Sequence, residues 1–325
     1  MATKHKAWLL VTAAAATTLV GCGTTEAPQK DDTSSARLSV TDARGKKVKL
    51  DGPAERVVTT EWNVTEALIT LGVTPVGVAD VKGYRAYDTA AKLTGDVKDI
   101  GTRGEPSVGT VAGLKPDLVA ATTDLPDSAI RQLSKIAPVV VVRSADASRQ
   151  IAQMTDNTRL LAQATGKEEK AKTEVTALRK TLTAGRKKLA AAGLEGEKVA
   201  FADGSKQGNQ VAIRPYAKGA LFADLNTELG LKNPWPMKGD KSYGLAATDV
   251  EGLTKVGDAH FAYITNSSDE GEDPFADGLK DNAVWKSLPF VKEDKVHRLP
   301  DGIWMFGGTA SARQYADALV KSLTD

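Results

Sequence analysis

Cysteine and histidine are scarce in this sequence of 325 residues, which has one cysteine and three histidines. A single thiol excludes an intrachain disulfide, an iron–sulfur cluster and a zinc site built from cysteines. The histidines are His5, His260 and His297, too few for an ordinary protein-ligated transition-metal centre. The sequence also lacks the nucleophile elbow, the P-loop and the dinucleotide-binding glycine pattern. These absences argue against a metalloenzyme, a serine hydrolase and a nucleotide-binding enzyme.

Neither sign of charge is in clear excess, since 43 lysines and arginines face 41 aspartates and glutamates. A nucleic-acid-binding protein would normally be basic, so nucleic acid is not expected as a partner. Hydrophobic residues at 41% and charged residues at 26% are typical of a soluble globular protein and argue against a coiled coil or a polytopic membrane protein. The length predicts about two domains at roughly 150 residues each.

An apolar run of fourteen residues, 7–20, follows the basic residues Lys4 and Lys6. It is too short to cross a hydrocarbon core of about 30 Å as a helix, and the pattern predicts a signal peptide over residues 1–21. The run ends in Leu-Val-Gly-Cys at Cys22, which resembles the bacterial lipobox. That resemblance implies a lipidated Cys22, with the polar residues 22–37 as a flexible tether to the outer face of the membrane.

Short apolar strands alternate with helical segments through residues 38–166, after a hairpin pattern at residues 37–50. Such alternation is typical of a parallel sheet with helices on both faces, and it predicts an N-terminal α/β lobe. The strand-like runs are Val57–Thr60, Val76–Ala79, Leu118–Thr122 and Val139–Val142.

Residues 167–193 predict one long helix, because apolar residues from Ala171 to Leu189 recur at spacings of three and four. Gly185 argues against an unbroken helix. A second α/β series fills residues 194–325. The predicted fold class is therefore α/β, with two lobes built on central parallel sheets, joined by a single long helix and separated by a ligand cleft.

Aromatic and cationic side chains stand in the loops that would surround this cleft. Trp62 follows the first strand, Trp235 lies between two prolines, and Trp304 lies in a glycine-flanked aromatic strip. Arg103 and Arg214 also stand next to predicted loops. Cationic donors among aromatic walls favour a bulky ligand of mixed polarity that carries electronegative oxygens.

The chain resembles the substrate-binding lipoproteins of ABC importers for iron siderophores and cobalamin. The resemblance covers most of the chain from about Leu38 onward, and it implies a monomeric binding protein, without catalysis, that delivers its ligand to an importer permease. The matching stretches are Glu61-Trp62-Asn63-Val64-Thr65-Glu66-Ala67-Leu68, Leu71-Gly72-Val73-Thr74-Pro75-Val76-Gly77-Val78-Ala79-Asp80, Leu114-Lys115-Pro116-Asp117-Leu118, Trp285-Lys286-Ser287-Leu288-Pro289-Phe290-Val291 and Val296-His297-Arg298-Leu299-Pro300.

Within that family the sequence is most similar to the ferric-hydroxamate-binding proteins. Their Gly-x-Arg-x-Glu-Pro stretch is reproduced at residues 101–106, which implies that Arg103 donates hydrogen bonds to hydroxamate oxygens. Arg214 is a candidate for a second donor. The other ligand-binding residues that the resemblance implies are Trp62, Tyr87, Trp235, Trp304, Met305 and Phe306.

The sequence departs from the hydroxamate pattern in two places. Residues 121–128 contain no aromatic side chain, although the relatives have a tyrosine in this loop. Gly109 stands where the family has an N-lobe glutamate that docks onto the permease. Glu251 resembles the C-lobe docking glutamate, and either Glu105 replaces the N-lobe one or docking is asymmetric.

The ligand chemistry agrees with the shortage of metal ligands, because three hydroxamates fill all six positions of Fe(III). The iron is then carried inside the siderophore, and no intrinsic cofactor or protein metal ligand is expected. Ferric citrate, haem and cobalamin are the alternatives within the same fold, the last two favoured by a histidine in the cleft. Direct iron ligation by Tyr216 and Tyr243, or a secreted α/β enzyme, are further alternatives.

Overall fold

The computed structural model describes residues 38–208, 210–267 and 272–325. The predictions of a signal peptide, a lipidated Cys22 and a tether therefore lie outside the described residues. The first described element is an antiparallel hairpin, as predicted, of β1 (Leu38–Thr41) and β2 (Lys47–Leu50). Its turn contains Gly45 at φ 73°, a left-handed backbone conformation that favours glycine.

The N-terminal lobe is built on a five-stranded parallel sheet with the order β5-β4-β3-β6-β7. All residues of β6 and β7 are buried, because helices cover both faces of the sheet. Serine, aspartate and glutamate side chains cap three of the four helices at their N-termini. The elements are β3 (Val57–Thr59), α1 (Trp62–Thr70), β4 (Gly77–Val78), α2 (Val81–Tyr87), β5 (Lys98–Asp99), α3 (Val108–Leu114), β6 (Leu118–Thr122), α4 (Asp127–Leu133) and β7 (Val139–Val142).

Two consecutive helices, α5 (Gln150–Thr165) and α6 (Glu168–Ala191), lead out of this lobe. Helix α6 is unbroken at Gly185, where a Cβ atom would lie 2.7 Å from a methyl group of Leu229, so the glycine permits close helix packing. Ala171 belongs to the core of the N-terminal lobe and Leu189 to that of the C-terminal lobe, so α6 connects the two. Every helix of the described residues is too short or too polar to span a lipid bilayer.

The C-terminal lobe is built on a four-stranded sheet with the order β11-β10-β8-β9. Strand β10 is parallel to β8 and β11, as predicted for this sheet, whereas β9 is antiparallel to β8. Two residues join β8 to β9, and so short a connection permits only a hairpin. The elements are β8 (Val199–Gln207), β9 (Gln210–Pro215), α7 (Leu221–Glu228), a 3₁₀ turn (Glu251–Lys255), β10 (His260–Tyr263), α8 (Ala283–Ser287), α9 (Pro289–Lys292), β11 (Val296–Arg298) and α10 (Thr309–Thr324).

A buried carboxylate on α1 joins the lobes at the N-terminus of α10. Glu66 accepts hydrogen bonds from the backbone N–H groups of Gly308 at 2.6 Å, Ala310 at 3.0 Å and Ser311 at 2.8 Å, and from the Ser311 hydroxyl at 2.8 Å. It satisfies N–H groups that a helix leaves unpaired and lies at the positive end of the helix dipole. A Cβ atom on Gly307 would lie 2.3 Å from a Glu66 oxygen, so only glycine fits there.

Asp88, at the end of α2, is a second buried acid beside Glu66. Burial, together with the Glu66 charge, raises the pKa of Asp88 to about 10. The folded protein then holds Asp88 protonated at neutral pH, whereas the unfolded chain ionises it near its ordinary pKa of 3.8. Because the folded pKa is the higher one, this group makes the fold less stable as pH rises from about 4 towards 10.

We therefore expect Asp88→Asn to raise the melting temperature, and to raise it more at pH 8 than at pH 5, since the amide is neutral at both. Thermal unfolding followed by circular dichroism at the two pH values measures this difference. An equal effect at both pH values would show that Asp88 does not take up a proton on folding.

Candidate ligand-binding cleft

A cavity of about 760 Å³ opens between the two lobes. Loops that follow the carboxyl ends of strands in both sheets contribute to it, as is usual for ligand sites in α/β folds. Its volume is in the usual range for a small-molecule site. The charged residues that line it are Glu61, Arg103 and Asp124 of the N-terminal lobe and Asp203 and Arg214 of the C-terminal lobe.

Arg103 is held in the cavity wall by a tight loop and two neighbours. The loop is closed by an isolated antiparallel bridge between Gly101 and Pro106. The guanidinium lies over the ring of Trp62, 4.1 Å from its centroid, and donates a hydrogen bond of 2.9 Å to Glu61. A guanidinium has five N–H donors, so this ion pair leaves donors for a ligand.

Four predicted ligand residues form a continuous aromatic wall. The ring centroids of Trp62 and Trp304 are 4.7 Å apart in an edge-to-face arrangement, and Tyr87 stacks on Trp62 at 5.7 Å. Phe306 extends the wall with its ring 5.3 Å from Trp304. Such rings offer a large apolar surface in a rigid geometry.

The two tryptophans of this wall differ in their hydrogen bonding. The indole N–H of Trp62 donates to the carbonyl of Ala79 at 3.1 Å. The indole N–H of Trp304 is buried and has no hydrogen-bond partner among the described residues. A buried donor without a partner costs about 1–3 kcal/mol, so the packing of the Trp304 ring in this wall outweighs a lost hydrogen bond.

Arg214 reaches the cavity from the C-terminal lobe and is paired with Asp203. These residues are direct neighbours across β8 and β9. The Nε of Arg214 donates to Asp203 at 2.9 Å, and its Nη2 forms a second hydrogen bond to the same carboxylate. The guanidinium also lies 5.4 Å from the ring centroid of Phe306. Next to it, the Tyr216 hydroxyl donates to the sulfur of Met305, which also lines the cavity.

Tyr243 and Asp124 form a hydrogen bond across the cleft that sequence reasoning missed. The Tyr243 hydroxyl, from the C-terminal lobe, donates to the carboxylate of Asp124, which follows β6 in the N-terminal lobe. Burial and then Asp124 raise the pKa of Tyr243, so the hydroxyl keeps its proton. The loop at residues 121–128 has no aromatic residue of its own. The ring of Tyr243, from the opposite lobe, lies next to this loop instead.

Trp235 is not part of the cavity, which corrects its expected position in the cleft. Its ring is 6% exposed and packs in the core of the C-terminal lobe. The Asn233 side chain accepts from the Trp235 backbone and donates to the carbonyl of Tyr216, which turns the indole inward. The indole N–H then donates to the carbonyl of Phe201 at 2.9 Å.

The docking candidates and the two described histidines, His260 and His297, lie outside the cavity lining. Glu105, Gly109 and Glu251 are exposed to solvent. His260 and His297 stand on neighbouring strands of the C-terminal sheet with their ring nitrogens 2.8 Å apart. Neither histidine lines the cleft, so neither provides the axial ligand that haem would favour.

The described residues contain no group of three or more histidine, cysteine or acidic side chains arranged to hold a metal ion. The side chains of the cleft instead offer N–H donors and aromatic faces around a large open volume. This arrangement is suited to binding a preformed molecule whose oxygens accept hydrogen bonds and whose arms are partly apolar.

Comparisons with known proteins agree with the two-lobed α/β architecture. The chain is 28% identical over 298 residues to the Fe(3+)-citrate-binding protein YfmC of Bacillus subtilis (strain 168), covering 90% of this chain and 88% of that protein. It is 23% identical over 265 residues to the iron(3+)-hydroxamate-binding protein FhuD of Escherichia coli (strain K12), covering 81% and 85%. The crystal structure of the Fe3+-Desferal-bound siderophore-binding protein FhuD from Vibrio cholerae matches with a TM-score of 0.74 and 25% identity, over 83% of this chain and 98% of that chain. A family model described as periplasmic binding protein matches residues 57–302. The chain therefore belongs to the periplasmic binding protein family.

Proposed function

We propose that this protein captures ferric hydroxamate siderophores of the ferrioxamine or ferrichrome type and delivers them to an ABC importer. It works as a monomer at the outer face of the membrane, anchored through lipidated Cys22, and Glu251 and Glu105 contact the permease. The relatives support the wider class, because the names of several refer to iron chelates or siderophores.

The charge of the cleft is the observation that carries the choice of hydroxamate. Both guanidinium groups that line it are already paired with carboxylates, Arg103 with Glu61 and Arg214 with Asp203. No lysine is among the described lining residues. A cleft without excess positive charge is poorly suited to ferric catecholate or ferric citrate complexes, which carry several negative charges.

A ferric trihydroxamate has the opposite character, because three monoanionic hydroxamates balance the charge of Fe(III). Its oxygens accept hydrogen bonds from the remaining N–H groups of Arg103 and Arg214. Its methylene arms pack on Trp62, Trp304 and Phe306. The ligand of the similar solved structure from Vibrio cholerae, Fe3+-Desferal, supports this choice.

Ferric citrate is the second candidate, because the relative YfmC is named for it. Haem and cobalamin are less favoured, since His260 and His297, the two histidines of the described residues, do not line the cleft. Tyr216 and Tyr243 are engaged with Met305 and Asp124 rather than directed together at one point, so direct ligation of iron is not favoured either.

Tryptophan fluorescence distinguishes these ligands, because an absorbing iron complex in the cleft would quench Trp62 and Trp304. We expect saturable quenching of the purified protein by ferrioxamine and ferrichrome, with little response to ferric citrate, a ferric triscatecholate, haem or cobalamin. Saturation by citrate or haem alone would keep the fold and overturn the proposed ligand. Chemical turnover of any siderophore would overturn the assignment as a binding protein.

A further inference from the structure

Counted over the described residues, the cleft carries one negative charge in excess, and Asp124 accounts for it. Among the described residues that line the cavity, three carboxylates face two guanidinium groups. Glu61 and Asp203 are each paired with an arginine. Asp124 has no lysine, arginine or histidine within 4 Å in the described part of the chain.

Asp124 is held in place rather than left on a mobile side chain. Its backbone N–H donates to the Ser144 hydroxyl at 3.0 Å, and one carboxylate oxygen accepts from the Tyr243 hydroxyl. A hydroxyl donor fixes the carboxylate but does not neutralise it. The second carboxylate oxygen has no hydrogen-bond partner among the described residues.

From this charge balance we propose that Asp124 selects ferric hydroxamate complexes that carry a cationic arm, such as a free primary ammonium group, over neutral ones. This inference rests on the proposed function. The iron core of such a ligand lies against Arg103 and the aromatic wall, and its ammonium group pairs with Asp124 at the rim.

The proposal also accounts for the two arginine–carboxylate pairs. An unpaired guanidinium would repel a cationic ligand, whereas a paired one offers N–H donors with little net charge. The cavity therefore combines donors for hydroxamate oxygens with a weak attraction for positive charge. Partial exclusion of water by the ligand strengthens an otherwise exposed ion pair, so a preference of roughly three- to tenfold is expected.

Two ligands with the same iron core test the proposal. Ferrioxamine B ends in a free amine, which is protonated at neutral pH, and its N-acetylated form is neutral there. Calorimetric titration of the full chain in detergent, at low ionic strength, should show the free-amine form binding about three- to tenfold more tightly. The preference should shrink as salt is added, because salt screens exposed charges.

Asp124→Asn should abolish the preference, since asparagine still accepts from Tyr243 but carries no charge. Asp127→Asn is the matched control, because Asp127 is an exposed acid three residues away that does not line the cavity, and this variant should keep the preference. Equal binding of the two ligands by the wild type, or a preference that survives Asp124→Asn, would overturn the proposal and leave the hydroxamate function standing. Binding of neither ligand would overturn both.

Discussion

Replacing Glu66 with alanine lowers the free energy of unfolding by about 3–5 kcal/mol in our account. The carboxylate is fully buried and accepts four hydrogen bonds at the N-terminus of α10. Alanine would leave three backbone N–H groups and the Ser311 hydroxyl buried without partners. Urea unfolding followed by circular dichroism measures the loss directly.

Glu66→Gln is the control that separates charge from shape. Glutamine keeps an accepting oxygen at the helix N-terminus but loses the charge and one acceptor, so an intermediate loss is expected. If Glu66→Ala cost less than about 1 kcal/mol, the contact between α1 and α10 would not hold the lobes together as described.

Arg103→Ala should weaken binding of a ferric hydroxamate by about 1.5–3 kcal/mol, which is roughly ten- to 150-fold. The substitution removes charge-assisted donors that lie 4.1 Å above the ring of Trp62. Calorimetric titration with ferrichrome, which has no cationic arm, isolates this effect from any attraction by Asp124.

Two further variants show why the affinity falls. Arg103→Ala also leaves Glu61 unpaired, so Arg103→Ala combined with Glu61→Gln removes the new charge, and this double variant should remain weak. Arg85→Ala is the matched control, because Arg85 is exposed and does not line the cavity. Recovery of affinity in the double variant would assign the loss to repulsion by Glu61 rather than to lost donors.

The sequence predicted the central strands of the N-terminal sheet, because these strands are continuous apolar runs. Residues 118–122 and 139–142 form β6 and β7 with the predicted bounds, since continuous apolar runs of this length need a sheet covered on both faces. Strand β5 escaped prediction because Lys98 and Asp99 are exposed residues at the sheet edge. The low helix propensity of Gly185 argued against an unbroken helix. The helix continues there because the glycine allows close packing against Leu229.

The cleft was predictable only in part. The family resemblance predicts Arg103, Trp62, Tyr87 and Trp304 as ligand-binding residues, and all four line the cavity. The predicted position of Trp235 in the cleft was wrong, because its ring packs in the core of the C-terminal lobe and its indole N–H donates to the carbonyl of Phe201. The side-chain pairs that set the charge of the cavity form only through the tertiary structure, and no sequence motif predicts them. Asp203 meets Arg214 only through the register of β8 and β9, and Tyr243 meets Asp124 across 119 positions of the chain.

The most direct test of the central claim is the position of iron in a crystal of the protein with ferrichrome, located by anomalous scattering at the iron edge. We expect one iron peak inside the cavity of about 760 Å³, surrounded by six hydroxamate oxygens, with the guanidinium of Arg103 within hydrogen-bonding distance of the ligand. An iron atom coordinated by Tyr216, Tyr243 or a carboxylate of the protein, or one bound outside the cleft, would contradict the account.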